Sequence, residues 1–282
     1  MISKSKALKG NSTKVYIKTF GCQMNKLDTE LSIGSLAKKG YSFAEEEKDA
    51  DVILLNTCSV REKAEHKVYS QLGSLRYQKE RNPELILGVL GCMAQNEGEK
   101  IFKRMPHVNL VCGTRMFSKL PELLEKITES NKQILAIDED GEVNFDRLVT
   151  QRQNQYSAFV SIMRGCDNYC SYCIVPYVRG REFSRSVTDI VDEVKGLVDD
   201  GCKEITLLGQ NVNSYGKGLT GKVTLATLLR ELDPIEGLER IHFLTSHPKD
   251  MTREILEAVG ELPGVCEYLH MPAQPGSDKI LK

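Results

Sequence analysis

Three times in its first third the chain repeats one unit: a short β-branched or apolar run, a single cysteine, then a helical stretch. "VYIKTFGCQMN" predicts a strand ending at Cys22, followed by an amphipathic segment through "LDTELSIGSLAKKG" that stops at Gly40. "ADVILLNTCSV" predicts a strand ending at Cys58, ahead of the helical "REKAEHKVYSQLGSLRYQKE". "ELILGVLGCMAQ" predicts a strand ending at Cys92, with another helix before Pro106. "VNLVCGT" adds a fourth strand, and "SKLPELLEKITES" a helix with Ser118 as its cap. Strands alternating with helices pair in parallel and carry the helices on their faces. The expectation is a doubly wound α/β domain over 14–130, after a frayed basic tail at 1–13 and before an acidic, amide-rich linker at 131–155.

A second α/β series fills 156–282. "SAFVSIMRGC" reads as a strand and "SVTDIVDEVKGLVDDG" as a helix between Ser186 or Thr188 and Gly201. The strands "EITLLGQNV", "RIHFLTSHP" and "CEYLHMPAQ" follow, separated by the helices "TLATLLREL" and "TREILEAVG". Four such strands begin a β/α barrel but cannot close one, so the second domain reads as an incomplete barrel.

The chain of 282 residues carries a formal net charge of -1, so no global field announces a nucleic-acid partner. No apolar run reaches membrane-spanning length, and the basic start lacks an apolar core, so the expected location is the cytosol. Nine cysteines are many for a reducing compartment, where clustered thiols bind metal or do redox chemistry more often than they form disulfides.

Cys166, Cys170 and Cys173, in "MRGCDNYCSYCIVPYVRG", have C-x3-C-x2-C spacing directly after a predicted strand. A compact loop of this kind lets several thiolates reach one iron–sulfur cluster. Zinc is the rival, but structural zinc closes with four ligands, and the nearest histidines in sequence, His107 and His242, lie far along the chain. A four-iron cluster held by three cysteines keeps one iron open to a substrate or cofactor. Cys22, Cys58 and Cys92 are each spaced about one strand–helix unit apart and each follow a strand at its carboxyl end. Those ends share the sheet edge where open α/β folds place their sites. The residues alone leave two readings for this trio, a second metal site or three packed thiols. Cys112, Cys202 and Cys266 read as small apolar side chains.

The stretches "TFGCQMN", "NTCSVREKAE", "LGCMAQ" and "RGCDNYCSYCIVPYVRGRE" resemble the radical S-adenosylmethionine methylthiotransferases, from about Val15 to Lys282. With "LLGQNVNSYG" and "TSHPKDM" they look most like the MiaB-type branch, which acts on tRNA. The resemblance implies a methylthio transfer to C2 of N6-isopentenyladenosine beside the anticodon, at position 37. It implies a [4Fe-4S] cluster on Cys166, Cys170 and Cys173 whose open iron binds S-adenosylmethionine and yields a 5'-deoxyadenosyl radical. It implies an auxiliary [4Fe-4S] cluster on Cys22, Cys58 and Cys92, and a second S-adenosylmethionine as methyl source. Its further implications are a flavodoxin or ferredoxin as electron donor, a monomer, and family chains that continue through the rest of the barrel into an all-β TRAM domain. Sister enzymes acting on threonylcarbamoyladenosine or on a ribosomal-protein aspartate are alternatives, as is a non-catalytic iron–sulfur protein.

Polar residues at predicted strand ends are candidate contacts to S-adenosylmethionine or the adenosine: Gln210, Asn211 and Asn213, then Ser246 and His247, then Gln274. Loop and cap chemistry is the alternative for each. Arg179, Arg181 and Arg185 follow the cysteine loop and are candidates for RNA phosphate or the cofactor carboxylate, against a solvated basic turn. Tyr169, Tyr172 and Ile174 are candidates to shield the cluster, or plain packing residues.

Overall fold

The structure, a computed structural model, describes residues 13–59, 62–137, 154–272, 277 and 279. It divides into two compact units. The first holds the N-terminal half together with the segment Cys170–Arg179, and the second holds 152–169 and 180–282. That short segment leaves the domain in which its sequence lies, which no local pattern announced.

In the first unit six parallel strands run in the order β2-β1-β3-β4-β5-β6. They are β1 (Lys14–Phe20), β2 (Ser42–Phe43), β3 (Val52–Thr57), β4 (Ile86–Gly91), β5 (Leu110–Cys112) and β6 (Ile134–Ala136). The helices are α1 (Gln23–Lys38), α2 (Glu62–Arg81), α3 (Cys92–Glu97), α4 (Glu99–Arg104) and α5 (Leu120–Ser130). β3 and β4 are buried at every position, as parallel strands covered on both faces must be. Leu54, Leu90, Leu110 and Cys112 pack with Leu36, Leu120, Leu124 and Ile127 on one face, so the Cys112 thiol is filling, pushed up to about 12 by burial. Ile53, Leu55, Val89 and Val111 pack with Val68, Leu72, Met93 and Ile101 on the other. Both faces carry helices, as the alternating pattern predicts.

Four details differ from the sequence reading. The two-residue β2 is too short to leave an alternating signal. β6 pairs with β5 inside the stretch expected to be linker. The helix after Cys92 breaks at Gly98, whose φ of 49° turns the chain between α3 and α4. A 3-10 turn at Phe117–Lys119 precedes α5, so Ser118 is not its cap.

The second unit pairs β7 (Ser157–Ser161), β10 (Glu204–Leu208) and β11 (Arg240–Phe243) in parallel, in the order β11-β10-β7. The expected first strand is two: after Ile162 the chain leaves the sheet as β8 (Met163–Arg164), which pairs antiparallel with β9 (Phe183–Ser184). Helix α6 (Val175–Arg179) lies within the segment that joins the first unit. The helices α7 (Val187–Asp199), α8 (Leu225–Leu232) and α9 (Arg253–Glu261) bury Ile190, Val194, Leu228, Leu229, Ile255 and Ala258 with Ile205, Leu207, Ile241 and Phe243 of the sheet. Ser186, Thr224 and Thr252 cap the three helices through side-chain oxygens. The fourth expected strand is reduced to one parallel bridge, Ile241 with Val265. Cys266 N–H donates to Ile241 at 3.0 Å, but Tyr268 N–H then turns back onto Cys266 O at 2.7 Å, and that tight turn interrupts the ladder.

Candidate metal centres

β1, β3 and β4 lie side by side and in register, so that Phe20 stands opposite Thr57 and Thr57 opposite Gly91. Each strand ends here and a cysteine follows. The sheet order also reverses between β1 and β3, the position at which open α/β sheets form a crevice beyond their carboxyl ends. Cys22 is exposed at the start of α1, while Cys58 and Cys92 are buried. Two glycines let the thiol loops approach. A Cβ on Gly21 would come within 2.6 Å of Asn25 Oδ1 and 3.0 Å of the Cys58 Cβ. Gly91 has φ 91°, and a Cβ there would meet Asn56 Oδ1 at 2.4 Å and Thr57 O at 2.8 Å.

Beneath the thiols runs a polar network that the sequence reading missed. Cys22 Sγ lies 3.2 Å from Asn25 Oδ1, and Asn25 Nδ2 donates to Asn56 Oδ1 at 3.1 Å. Asn56 Nδ2 donates to Asn25 O at 2.9 Å and to Thr29 Oγ1 at 3.0 Å. The signal was present: Asn25, Asp28, Thr29 and Ser32 fall at helical spacing on one stripe of α1, where a buried face ordinarily carries apolar residues.

Arg179 completes this corner. Its side chain is 4% exposed, and Nη2 lies 2.7 Å from Oδ2 of the fully buried Asp28. The guanidinium is not on a solvated turn, and the carboxylate it meets is the protein's own. Arg185 is likewise buried, against Glu193 at 2.6 Å and Ser161 O at 2.7 Å. Only Arg181 of the three is exposed, where Asp167 holds it at 2.8 and 3.2 Å. The hydrogen bond from Cys58 draws the Cys22 thiol down to about 6, against burial and with help from the Asn25 amide and the Arg179 charge. Burial raises the Cys92 thiol, and Arg179 opposes that rise.

In the second unit, β8 and β9 pinch the base of the cysteine loop. Gly165 has φ 76°, and a Cβ there would stand 2.0 Å from Arg181 O. Cys166, buried, donates its N–H to Gly180 O at 3.2 Å, and Gly165 N–H donates to Gln210 Oε1 at 2.5 Å. Gln210 thus braces the loop. Cys173 N–H donates to Cys170 O at 2.8 Å, and both residues are half-buried in the segment that belongs to the first unit. Tyr169 and Tyr172 are exposed, and Ile174 is half-buried.

The other strand-end residues divide. Asn213 and His247 exchange two bonds, Nδ2 to His247 O at 2.7 Å and His247 N–H to Oδ1 at 2.9 Å. The His247 ring accepts from Lys249 N–H at 3.2 Å. Asn211 Nδ2 donates to Asp250 at 2.6 Å, while its Oδ1, and Ser246 Oγ, are buried and meet no hydrogen-bond partner among the described residues. Buried polar atoms left over in this way fit a ligand better than a closed core. Gln274 lies outside the described residues. Among those residues no three His, Cys, Asp or Glu side chains converge as a ready site for a single metal ion, and none of the helices is long and apolar enough to cross a membrane.

Cysteines directly after three neighbouring parallel strands, followed by a parallel β/α unit with a C-x3-C-x2-C loop after its first strand, define an α/β protein with its thiols gathered at strand ends. Two family profiles cover most of the chain: Uncharacterized protein family UPF0004 matches 14–113 and the radical SAM superfamily matches 160–282. A UPF0004 domain thus stands ahead of a radical SAM domain in this chain. It is similar to proteins named tRNA-2-methylthio-N(6)-dimethylallyladenosine synthase. That of Clostridium beijerinckii is 50% identical over 270 residues, 95% of this chain and 59% of the relative. That of Natranaerobius thermophilus is 47% identical over 275 residues, 97% of this chain and 61% of the relative. The chain thus spans about three fifths of the length of the curated relatives it matches. In fold it resembles TsrM from Kitasatospora setae, a radical S-adenosylmethionine methyltransferase solved with tryptophan and a SAM analog, at TM-score 0.65 and 12% identity over 96% of this chain and 61% of TsrM. A second TsrM structure, with cobalamin and a [4Fe-4S] cluster, matches at TM-score 0.61 and 14% identity over 90% of this chain and 59% of TsrM.

Proposed function

We propose that this chain is the catalytic part of a tRNA methylthiotransferase that adds a methylthio group to C2 of N6-isopentenyladenosine at position 37, using two [4Fe-4S] clusters and two molecules of S-adenosylmethionine. The observation that carries the reading is the register of Phe20, Thr57 and Gly91, which brings three cysteines from distant sequence to one sheet edge. The named relatives supply the substrate.

The residues fit the groups they are asked to hold. Cys22, Cys58 and Cys92 would hold the auxiliary cluster, and the low Cys22 thiol together with the buried Arg179 cation suits a site for anionic sulfur. Cys166, Cys170 and Cys173 would hold the other cluster. When bound, that cluster and S-adenosylmethionine supply a carbon-centred radical that polar acid–base groups cannot generate. Asn211 and Ser246 offer unspent polar atoms toward the cofactor, whereas Gln210 acts through its hydrogen bond to Gly165 by setting the loop beside Cys166. Arg181, the one exposed arginine of the three, keeps the candidate role toward RNA phosphate. A cytosolic setting, a small electron-transfer protein as donor and a monomeric state complete the proposal.

The test is anaerobic reconstitution followed by mass spectrometry of nucleosides from hypomodified tRNA. The methylthio product supports reaction and substrate together. Two four-iron equivalents with no product on any tRNA, and no spectral change on adding S-adenosylmethionine, would overturn catalysis in favour of an electron carrier.

A further inference from the structure

Arg179 closes the cysteine loop in sequence, yet its charge is buried in the first unit, on the corner where Cys22 and Cys92 stand. Three observations bear on it. Its side chain is nine-tenths buried or more and pairs with an equally buried carboxylate, Asp28, at 2.7 Å. Its charge bears on the thiols of Cys92, which it also meets through a side-chain hydrogen bond, and of Cys22. The segment that carries it is held in place independently, because Thr114 Oγ1 donates to Val178 O at 2.7 Å and α6 lies against α3, the helix that begins with Cys92.

A buried ion pair is a poor device for stability alone. Desolvating two charges costs about as much as their attraction returns, and packed apolar residues of similar size often serve better. A cation held against thiols is of use where sulfur-borne negative charge has to be accommodated. The potential of an iron–sulfur cluster is set by net charge, by hydrogen bonds to its sulfurs and by exposure to solvent.

We propose that Arg179 and Asp28 form a charge couple that sets the reduction potential of the group held by Cys22, Cys58 and Cys92, Arg179 raising it and Asp28 restraining that rise. The proposal rests on the auxiliary-cluster reading above and adds to it a positioning pair that supplies no ligand. Adding an electron makes the site more negative, so a nearby cation favours the reduced form and a nearby carboxylate opposes it. The two halves of one ion pair therefore act with opposite signs. A purely structural ion pair has no such signature.

The test uses the whole chain with Cys166, Cys170 and Cys173 replaced by alanine, so that only the auxiliary site loads iron, followed by dithionite titration with mediators and EPR detection of the reduced cluster. Arg179→Gln is expected to lower the reduced fraction about tenfold at fixed potential, a shift of about 59 mV for one electron. Asp28→Asn is expected to move it the other way. Arg179→Lys keeps the charge and is expected to stay near the parent, as is the exposed-cation control Lys126→Gln. Unchanged potentials, or shifts of the same sign in Arg179→Gln and Asp28→Asn, overturn the proposal while leaving the cluster reading intact. Loss of cluster in all three Arg179 and Asp28 variants assigns the pair to folding and also overturns it. If the parent itself binds no iron and sulfide, the auxiliary-cluster reading falls, and this inference with it.

Discussion

The two trios of thiols are built by opposite means. Cys166, Cys170 and Cys173 share one short loop, pinched at its base by β8 and β9 and by the close approach of Gly165 to Arg181. Cys22, Cys58 and Cys92 share nothing in sequence, and their proximity depends on three strands holding register and on the switch point between β1 and β3. The arginines repeat the contrast two residues apart: Arg179 is buried against Asp28, and Arg181 is exposed against Asp167. A site assembled from strand ends is as stable as the sheet beneath it.

That comparison can be broken at its strongest point first. Asp28→Ala strands a buried guanidinium and is expected to destabilise the first unit by about 3–5 kcal/mol, read by urea denaturation. A loss below about 1 kcal/mol would mean that water reaches the pair. Gly91→Ala forces a side chain into the left-handed region and against Asn56, with an expected cost of about 1–3 kcal/mol and reduced iron uptake at the strand-end trio. Gln210→Ala removes the acceptor for Gly165 N–H and is expected to cost about 1 kcal/mol, with iron loss confined to the loop trio.

Thiol chemistry sharpens the same contrast. The Cys22 pKa is lowered, so its thiolate is present at neutral pH and is lost as pH falls through about 6. In iron-free chain, alkylation of Cys22 should follow that midpoint, and Cys58→Ala, which removes the hydrogen-bond donor, should move it upward. Cys112, raised to about 12 and enclosed by apolar side chains, should remain unmodified throughout. The smallest effect belongs to Asp167→Asn: its exposed pair with Arg181 is screened by water, and no measurable change in stability is expected.

Much of the architecture was legible from residue order because hydrophobic runs and helix caps are local. The strands ending at the three cysteines, the helix capped by Ser186 and the alternation that covers both sheet faces all follow from periodicity. What escaped was short or non-local. β2 has two residues, β6 pairs only because β5 is beside it, and the tight turn at Cys266–Tyr268 undoes a strand whose composition favours one. At the site, cysteine spacing marked both trios, whereas "VRGRE" gave no way to tell a buried arginine from an exposed one.

Residue order alone therefore determined which thiols stand at strand ends and which share a loop, because both are matters of spacing along the backbone. Only the tertiary structure decided that Arg179 turns inward to Asp28 while Arg181 turns out to water, and that Asn25, Asn56 and Thr29 join beneath the thiols. The reason is physical: the cost of burying a charge or an amide depends on the partner it meets, and that partner comes from another part of the chain.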